Sequence, residues 1–174
     1  LAARAKRHGL SLRDRLVAYL PRYAGVAARF APLANLRNSS PLLRSLFETF
    51  IGISAKRSLP AWRRDTFAPD NDIVGPTDGR EVVLFVDTFN RAYERENLDD
   101  AVRVLVAGGY RVHLPKPNDG ARPLCCGRTF LSAGLVDEAR AELDRLVAAY
   151  APFAARGVPI VGLEPSCLLT LRDE

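Results

Sequence analysis

The alternation of short apolar runs with helical patterns between residues 81 and 174 most constrains the fold. Residues 82–86 form a continuous apolar run of strand length, and residues 111–114 and 159–163 are two further short predicted strands. Apolar residues recur at helical spacing between them. A β-α-β-loop-α-β order predicts a parallel sheet with right-handed crossovers. We therefore predict an α/β fold, a parallel Rossmann-like sheet with flanking helices, over about residues 80–174.

Two helices are predicted to connect these strands. Asn97 is expected to cap the first helix, and Gly108 with the following glycine is expected to end it. The second helix has an apolar face spread over residues 135–150. Pro152 is expected to begin a further short helix that ends at Gly157.

Three parts are predicted along the chain. Residues 1–67 are expected to be a helical segment, with Ser11 and its capping-box partner Asp14 at one helix start. Residues 68–80 are rich in Pro, Gly, Asp and Asn and are expected to be a linker. Residues 81–174 form the predicted α/β domain. The short apolar helices of the first part are expected to pack against another domain.

The charge is distributed unevenly between the two halves. Residues 1–70 contain 13 Lys and Arg against 4 Asp and Glu, whereas residues 71–174 contain 12 against 16. A basic segment can bind nucleic acid, an anionic membrane or an acidic partner domain. Because no nucleic-acid motif accompanies the charges, we expect no nucleic-acid binding. A basic partner-binding module remains one hypothesis for the segment.

Composition narrows the setting of the protein. Three cysteines without spaced pairs argue against a secreted disulfide framework and favour a cytoplasmic protein. No apolar run is long enough for a transmembrane helix, so any membrane association is expected to be peripheral, at the inner face. The sequence contains no methionine, from which we expect it to be a piece of a longer protein.

Five potential metal ligands follow the predicted strands: Asp87, Cys125, Cys126, Glu164 and Cys167. Ligands collect beyond the carboxyl ends of strands in parallel sheets, so these residues are expected to converge on one edge. Thiolates select zinc, copper(I) or iron–sulfur clusters. No catalytic residue and no flavin-binding motif is identified.

Other interpretations of these residues remain open. Cysteine is a common buried small apolar residue, and the adjacent pair before Gly127 could also form a vicinal disulfide. Asp87 could instead cap a helix or a turn, and Glu164 could be a solvent-facing carboxylate. His113 and Trp62 are expected to be structural.

Three stretches carry a resemblance to a known family. They are DTFN at 87–90, CCGRTFLSAG at 125–134 and GLEPSCLLTLRDE at 162–174. They resemble the cysteine-rich CCG domain found in the B subunit of heterodisulfide reductase and in the iron–sulfur subunits of glycolate oxidase. This domain also occurs in fused, FAD-linked, D-lactate dehydrogenase-like iron–sulfur proteins.

The resemblance implies which residues are ligands and which are altered. Cys125, Cys126 and Cys167 match cysteines of the family pattern, whereas Asp87 and Glu164 stand where that pattern has cysteine. The altered set could still hold an iron–sulfur cluster or zinc, or it could be a remnant. FAD would belong to the parent protein, and the partners would be its FAD-binding and ferredoxin-like segments and a second CCG repeat.

The resemblance therefore implies an electron-transfer module of an FAD-linked 2-hydroxyacid oxidoreductase. The alternative is a zinc-binding or metal-free structural domain that supports a neighbouring cluster-binding repeat. The chain alone is expected not to oxidise a 2-hydroxyacid, because it has no identifiable flavin site.

Overall fold

The structure is a computed structural model that describes residues 1–173, with side chains to residue 172. Glu174, the predicted end of the α/β domain and of its third matching stretch, lies outside the described residues. The sheet has four strands: β1 (Ile73–Val74), β2 (Arg80–Phe85), β3 (Tyr110–His113) and β4 (Ile160–Gly162). The helices are α1 (Ala2–His8), α2 (Leu12–Ala18), α3 (Leu20–Arg29), α4 (Ala31–Ala34), α5 (Leu36–Ser39), α6 (Pro41–Ile51), α7 (Thr88–Tyr93), α8 (Arg95–Ala107), α9 (Arg128–Ser132), α10 (Val136–Ala154) and α11 (Pro165–Asp173).

The sheet confirms the predicted α/β class. Its strand order is β1-β3-β2-β4, and β2 pairs in parallel with both β3 and β4. Val83 lies opposite His113 of β3 and Ile160 of β4, which places β2 at the centre. Strand β1 adds an antiparallel edge, with Val74 opposite Val112. The chain therefore moves to one side of β2 for β3 and to the other side for β4.

Both faces of β2 are buried, as its continuous apolar run predicts. Val83 and Phe85 pack against α10 and α11, in a cluster that also contains Cys126 and Cys167. Val82 and Leu84 point to the other face and pack against α8. The two layers of helices thus cover opposite faces of the sheet, and the cysteines belong to the α10 side.

Helix α2 begins where its predicted capping residue lies, and helix α6 is capped in the same way. The Ser11 hydroxyl accepts a hydrogen bond from the Asp14 N–H (3.1 Å) at the start of α2. Ser40 does the same for the Leu43 N–H (3.3 Å) at the start of α6, where Pro41 occupies the first position. These bonds satisfy backbone donors that have no partner within the helix.

The helical segment packs on the α/β part of the chain. Ala18 is buried with Phe130 and Ala139, and the Thr129 hydroxyl donates to the Ala18 carbonyl (2.9 Å). The Arg22 guanidinium lies over the Phe130 ring, 4.7 Å from its centroid. Residues from α2 and α3 therefore share a core with α9 and α10.

Two asparagines hold the extended chain that follows α6. The Asn35 amide donates to the Trp62 carbonyl and accepts from the Trp62 N–H, both at 2.8 Å. Asn38 makes the same pair of bonds to Leu59, at 2.8 and 2.9 Å. Trp62 then packs on Tyr93, with 4.8 Å between ring centroids, so its predicted structural role is consistent with its contacts.

Three local predictions differ from the structure. The predicted linker contains strand β1, which pairs with β3. The Asp72 backbone carbonyl extends this pairing by accepting from the Leu114 N–H (2.8 Å). Asn97 does not cap a helix, since α8 begins two residues earlier and Asn97 donates instead to Asn90 (2.8 Å). Pro152 begins no new helix, because α10 continues through it to Ala154.

Within the described residues, no helix has both the length and the apolar character needed to cross a membrane.

Candidate functional site

The five predicted ligands follow three different strands. Asp87 comes two residues after β2, and Glu164 comes two residues after β4. Cys125 and Cys126 lie in the loop that leads from β3 to α9, and Cys167 lies in the first turn of α11. Each therefore follows the carboxyl end of a parallel strand, where ligands collect in this class of fold.

The three thiols meet in one buried place. Each cysteine is at most 5% exposed. The Cys126 thiol interacts with both Cys125 and Cys167, and Cys126 and Cys167 share an apolar cluster with Leu124 and Phe85. The structure thus brings together three soft donors, two from the loop before α9 and one from the first turn of α11.

Gly127 allows the adjacent cysteines to lie in this turn. Its φ of +81° is a conformation that residues with a side chain rarely adopt. A Cβ at this position would also lie 2.8 Å from the Ala139 carbonyl oxygen on α10. Its N–H donates to the Cys125 sulfur at 3.4 Å. Glycine is required here both by the backbone angle and by the close approach of α10.

The surroundings of Cys125 and Cys126 favour the protonated forms of these two thiols. Contact with Cys126, followed by burial, raises the pKa of Cys125. For Cys126, contact with Cys125 lowers the pKa, but contact with Cys167 and burial outweigh it and raise the pKa to about 12. Ionisation of metal-free Cys125 and Cys126 is therefore unfavourable, and a bound cation would have to displace their protons.

These shifts predict that the metal-free chain loses stability at high pH. An unfolded cysteine ionises near pH 8.5, whereas native Cys126 keeps its proton up to about pH 12. Because the pKa of Cys126 is raised in the native state, its contribution to the stability of the fold is fully present below the unfolded pKa. That contribution is lost as the pH rises from the unfolded pKa towards the native pKa. In urea unfolding with chelator and reductant, the free energy of unfolding should fall between pH 7.5 and pH 10. Cys126 should account for roughly 1–2 kcal/mol of this fall.

The matched variant for this measurement is Cys126→Ala, which removes the thiol and keeps a small apolar residue. Tyrosines that ionise at high pH affect both proteins alike. An equal pH dependence in wild type and variant would show that Cys126 is not held in its protonated form.

Asp87 caps helix α7. Its side chain is fully buried and accepts from the Phe89 N–H (3.0 Å), the Asn90 N–H (2.9 Å) and the Asn90 side-chain amide (2.7 Å). The side-chain oxygen of Asn90 accepts in turn from the Asn97 amide (2.8 Å). This corresponds to the capping alternative, with the carboxylate oxygens already occupied by three donors.

Glu164 makes similar contacts at the start of α11. Its carboxylate accepts from the Ser166 hydroxyl (2.6 Å) and the Ser166 N–H (3.2 Å). Its backbone carbonyl accepts from the Cys167 N–H (3.1 Å). Glu164 also lines a cavity of about 880 Å³ beside α8, whose described lining includes Leu84 and Val161 but none of the cysteines. The Glu164 carboxylate is thus engaged locally.

Among the residues with described side chains, no group of three or more His, Cys, Asp and Glu is arranged to hold a metal ion. In chemical type, the thiols are ligands for zinc, copper(I) or an iron–sulfur cluster. Both candidate carboxylates accept hydrogen bonds from neighbouring donors at helix starts.

Sequence reasoning missed two side chains near this site. Thr88 is buried, and its side chain lowers the pKa of the Cys125 thiol, against the larger effects that raise it. Asn90 links the Asp87 cap to Asn97 on α8. Both residues belong to the stretch DTFN at 87–90, so their nearness to a predicted ligand was the available signal.

Comparisons with known proteins give distant relatives. The C subunit of the anaerobic glycerol-3-phosphate dehydrogenase of Escherichia coli K12 is 25% identical over 94% of this chain and 41% of its own length. The D-2-hydroxyglutarate dehydrogenase of the same organism is 29% identical over 94% of this chain and 16% of its own length. The chain thus spans less than half of each relative. No family model matches, and no solved structure matches.

Proposed function

We propose that this chain is a module of a larger FAD-linked dehydrogenase acting on a 2-hydroxyacid, and that it serves electron transfer. Its three thiols would be this module's contribution to an iron–sulfur cluster, completed by a ligand from outside the chain. The CCG resemblance and the two dehydrogenase relatives support the class. The FAD-binding and ferredoxin-like segments and a second CCG repeat would belong to the same polypeptide as the three predicted parts of this chain, 1–67, 68–80 and 81–174.

The observation that carries this proposal is that Cys126 and Cys167 lie in one buried cluster, with buried Cys125 next to Cys126 in the chain. An iron–sulfur cluster, when bound, supplies one-electron transfer, and cysteine thiolates are its usual ligands. Cys125, Cys126 and Cys167 would hold it. The Gly127 N–H, 3.4 Å from the Cys125 sulfur, is a donor of the kind that tunes such centres. Asp87 and Glu164 would keep the two loops in place rather than bind iron.

The test is reconstitution of the chain with iron and sulfide, without oxygen, in the presence of a small external thiol that can supply the missing ligand. We expect bound iron, acid-labile sulfide and visible absorbance in the wild type. Cys126→Ala and Cys167→Ala should each lose most of the iron, because each removes one of three thiolates. Iron and sulfide analysis with a visible spectrum provides the readout.

Leu124→Ala is the matched control. Leu124 is buried in the same cluster but offers no ligand, so this variant separates general destabilisation from ligand loss. It should retain its iron under conditions where it remains folded. A wild type that binds no iron despite the external thiol would exclude the cluster.

The second candidate function is a structural domain that is metal-free or holds zinc. Burial of all three thiols, with Cys126 and Cys167 in one apolar cluster, and the raised pKa of Cys126 favour the metal-free form. In that case the wild type would contain no metal, and the cysteine variants would change stability alone. Stoichiometric zinc, lost in the same variants, would identify the zinc-binding form.

A further inference from the structure

A small cavity, which we call the Arg91 cavity, lies beyond the carboxyl ends of β2 and β3. Its volume is about 220 Å³, and its lining includes Val86 and Leu114, the residues that directly follow these two strands. The charged residues of its described lining are Arg91 on α7 and Lys116 in the loop after β3, and none is acidic. Ligands collect at this end of the strands in parallel sheets. The cavity therefore combines a usual position for a ligand with positive charge.

Arg91 is a partly buried cation that forms no ion pair with any residue the structure describes. Its Nη1 donates to the Phe67 carbonyl (3.3 Å), and its Nε is buried without a hydrogen-bond partner. Burial lowers the pKa of Arg91, against the attraction of Tyr150 and Asp87. The Asp87 carboxylate does not contact it, because its oxygens accept from donors of α7. Since buried charges are normally paired, Arg91 lacks the anion that such a cation requires.

The free groups of Arg91 match a carboxylate. A guanidinium presents pairs of parallel N–H groups that fit the two oxygens of a carboxylate. Because Nη1 is bonded to Phe67, the Nε and Nη2 groups are left as one such pair, and neither has a hydrogen bond within the described part of the chain. Arg91 can therefore bind a carboxylate through two bonds.

The walls of the cavity favour a small carboxylate over a phosphate. Four prolines line it: Pro69, Pro115, Pro117 and Pro123. Proline has no backbone N–H, whereas phosphate sites depend on several backbone N–H donors. The alanine, valine and leucine side chains of the lining offer apolar surface to a carbon chain. The volume is below the roughly 300–1,000 Å³ of sites for drug-sized ligands, so the ligand must be small.

We propose that the Arg91 cavity binds the carboxylate of a small organic acid, with Arg91 as its bidentate partner and the proline-rich walls around a short apolar carbon chain. Exposed Lys116 adds positive charge, although its ammonium pairs with Asp72 (2.6 Å). The charged lining residues of the 880 Å³ cavity beside α8 are instead all acidic: Glu94, Asp100 and Glu164. That cavity should therefore repel the same anion. Binding in the Arg91 cavity is independent of metal binding at the thiols.

The test is an NMR titration of the isotope-labelled, metal-free chain with butyrate, at constant ionic strength and with chelator present. We expect a dissociation constant of about 1 mM or tighter. Butyramide, which has nearly the same shape but no charge, and inorganic phosphate should each bind at least about tenfold more weakly. Arg91→Lys keeps the charge but loses the paired N–H groups, so it should bind butyrate about tenfold more weakly. Arg91→Gln should weaken binding further.

Arg103→Gln is the matched control, because Arg103 is an arginine of α8 with a 75% exposed side chain and its loss changes the net charge equally. It should bind butyrate within about twofold of wild type. Arg91→Gln should remain about as stable as wild type in urea, since it removes a cation that lacks an ion pair.

Three results would overturn the proposal. The first is butyramide or phosphate binding as tightly as butyrate, and the second is an equal loss of butyrate binding in Arg103→Gln. The third is no binding by the wild type at concentrations about fiftyfold above the expected dissociation constant. That last result would leave a carboxylate side chain from another segment as the partner of Arg91.

Discussion

Replacing Glu142 with alanine should destabilise the chain by about 3–5 kcal/mol, the usual cost of removing one partner from a buried ion pair. Glu142 on α10 is fully buried. Its carboxylate accepts from Arg22 (3.3 Å), Arg145 (3.2 Å) and Arg122. Without it, three guanidinium groups would face one another with no shared anion. The free energy of unfolding in urea at neutral pH measures the loss.

The same cluster joins three distant parts of the chain. Arg22 belongs to α3, Arg122 belongs to the loop that leads to the cysteine pair, and Arg145 belongs to α10. Arg145 also binds Asp119 of that loop through two bonds (2.7 and 3.1 Å) and lowers the pKa of Asp119 to about 2. Loss of Glu142 should therefore loosen both the helical segment and the loop that carries Cys125.

Asp144→Ala is the control for this prediction. Asp144 is an exposed acidic residue on the same helix, two residues from Glu142. Its removal therefore changes the net charge and the helix composition in the same way as Glu142→Ala does. We expect a change within about 0.5 kcal/mol. A Glu142→Ala loss no larger than that of Asp144→Ala would show that the arginine cluster does not stabilise the fold.

Glu142 could have been suspected from the sequence, and the reason is its position on the helix. It lies three residues after Ala139 and four before Leu146, in the middle of the predicted apolar face of α10. A charged residue at such a position must be paired when buried. Its partner Arg22 was not predictable, because Arg22 is 120 residues away in the chain.

The sheet was predictable where its strands are long or buried on both faces. The apolar run at 82–86 predicted the central strand β2, whose alternate residues pack against opposite layers. Strand β1 was missed because its two residues lie among turn-forming residues and depend on pairing with β3. A local sequence pattern cannot predict that a short strand pairs with a strand from a distant part of the chain.

The roles of the candidate ligands illustrate the same limit. The sequence correctly placed Asp87, the cysteines and Glu164 after the strand ends, since this follows from element order. It left open whether Asp87 binds a cation or caps a helix or turn, and whether Glu164 binds a cation or faces solvent, because these roles use the same residue types at the same positions. Only the donors that surround each oxygen distinguish the two, as at Asp87 with its three hydrogen bonds.

Replacing Asp87 with alanine should destabilise the chain by about 2–4 kcal/mol, because it leaves buried donors without an acceptor. Asp87→Asn should cost less, since its amide oxygen can still accept from the Phe89 and Asn90 N–H groups. Ser40→Ala provides the comparison, because it removes the cap of α6 on a less buried side chain and should cost about 1 kcal/mol. Urea unfolding of the three variants gives the ranking.

Iron content of Asp87→Asn decides between the two roles of this residue. If Asp87 acts only as the cap of α7, the reconstituted variant should keep the iron of the wild type, because the three thiolates and their loops are unchanged. If the carboxylate is a ligand, the variant should lose iron while retaining most of its stability, since an uncharged amide is a much poorer ligand for iron than a carboxylate. The contacts of Asp87 lead us to expect the first result. Asp87→Asn should then lose some stability but keep its iron, whereas Cys126→Ala should lose its iron.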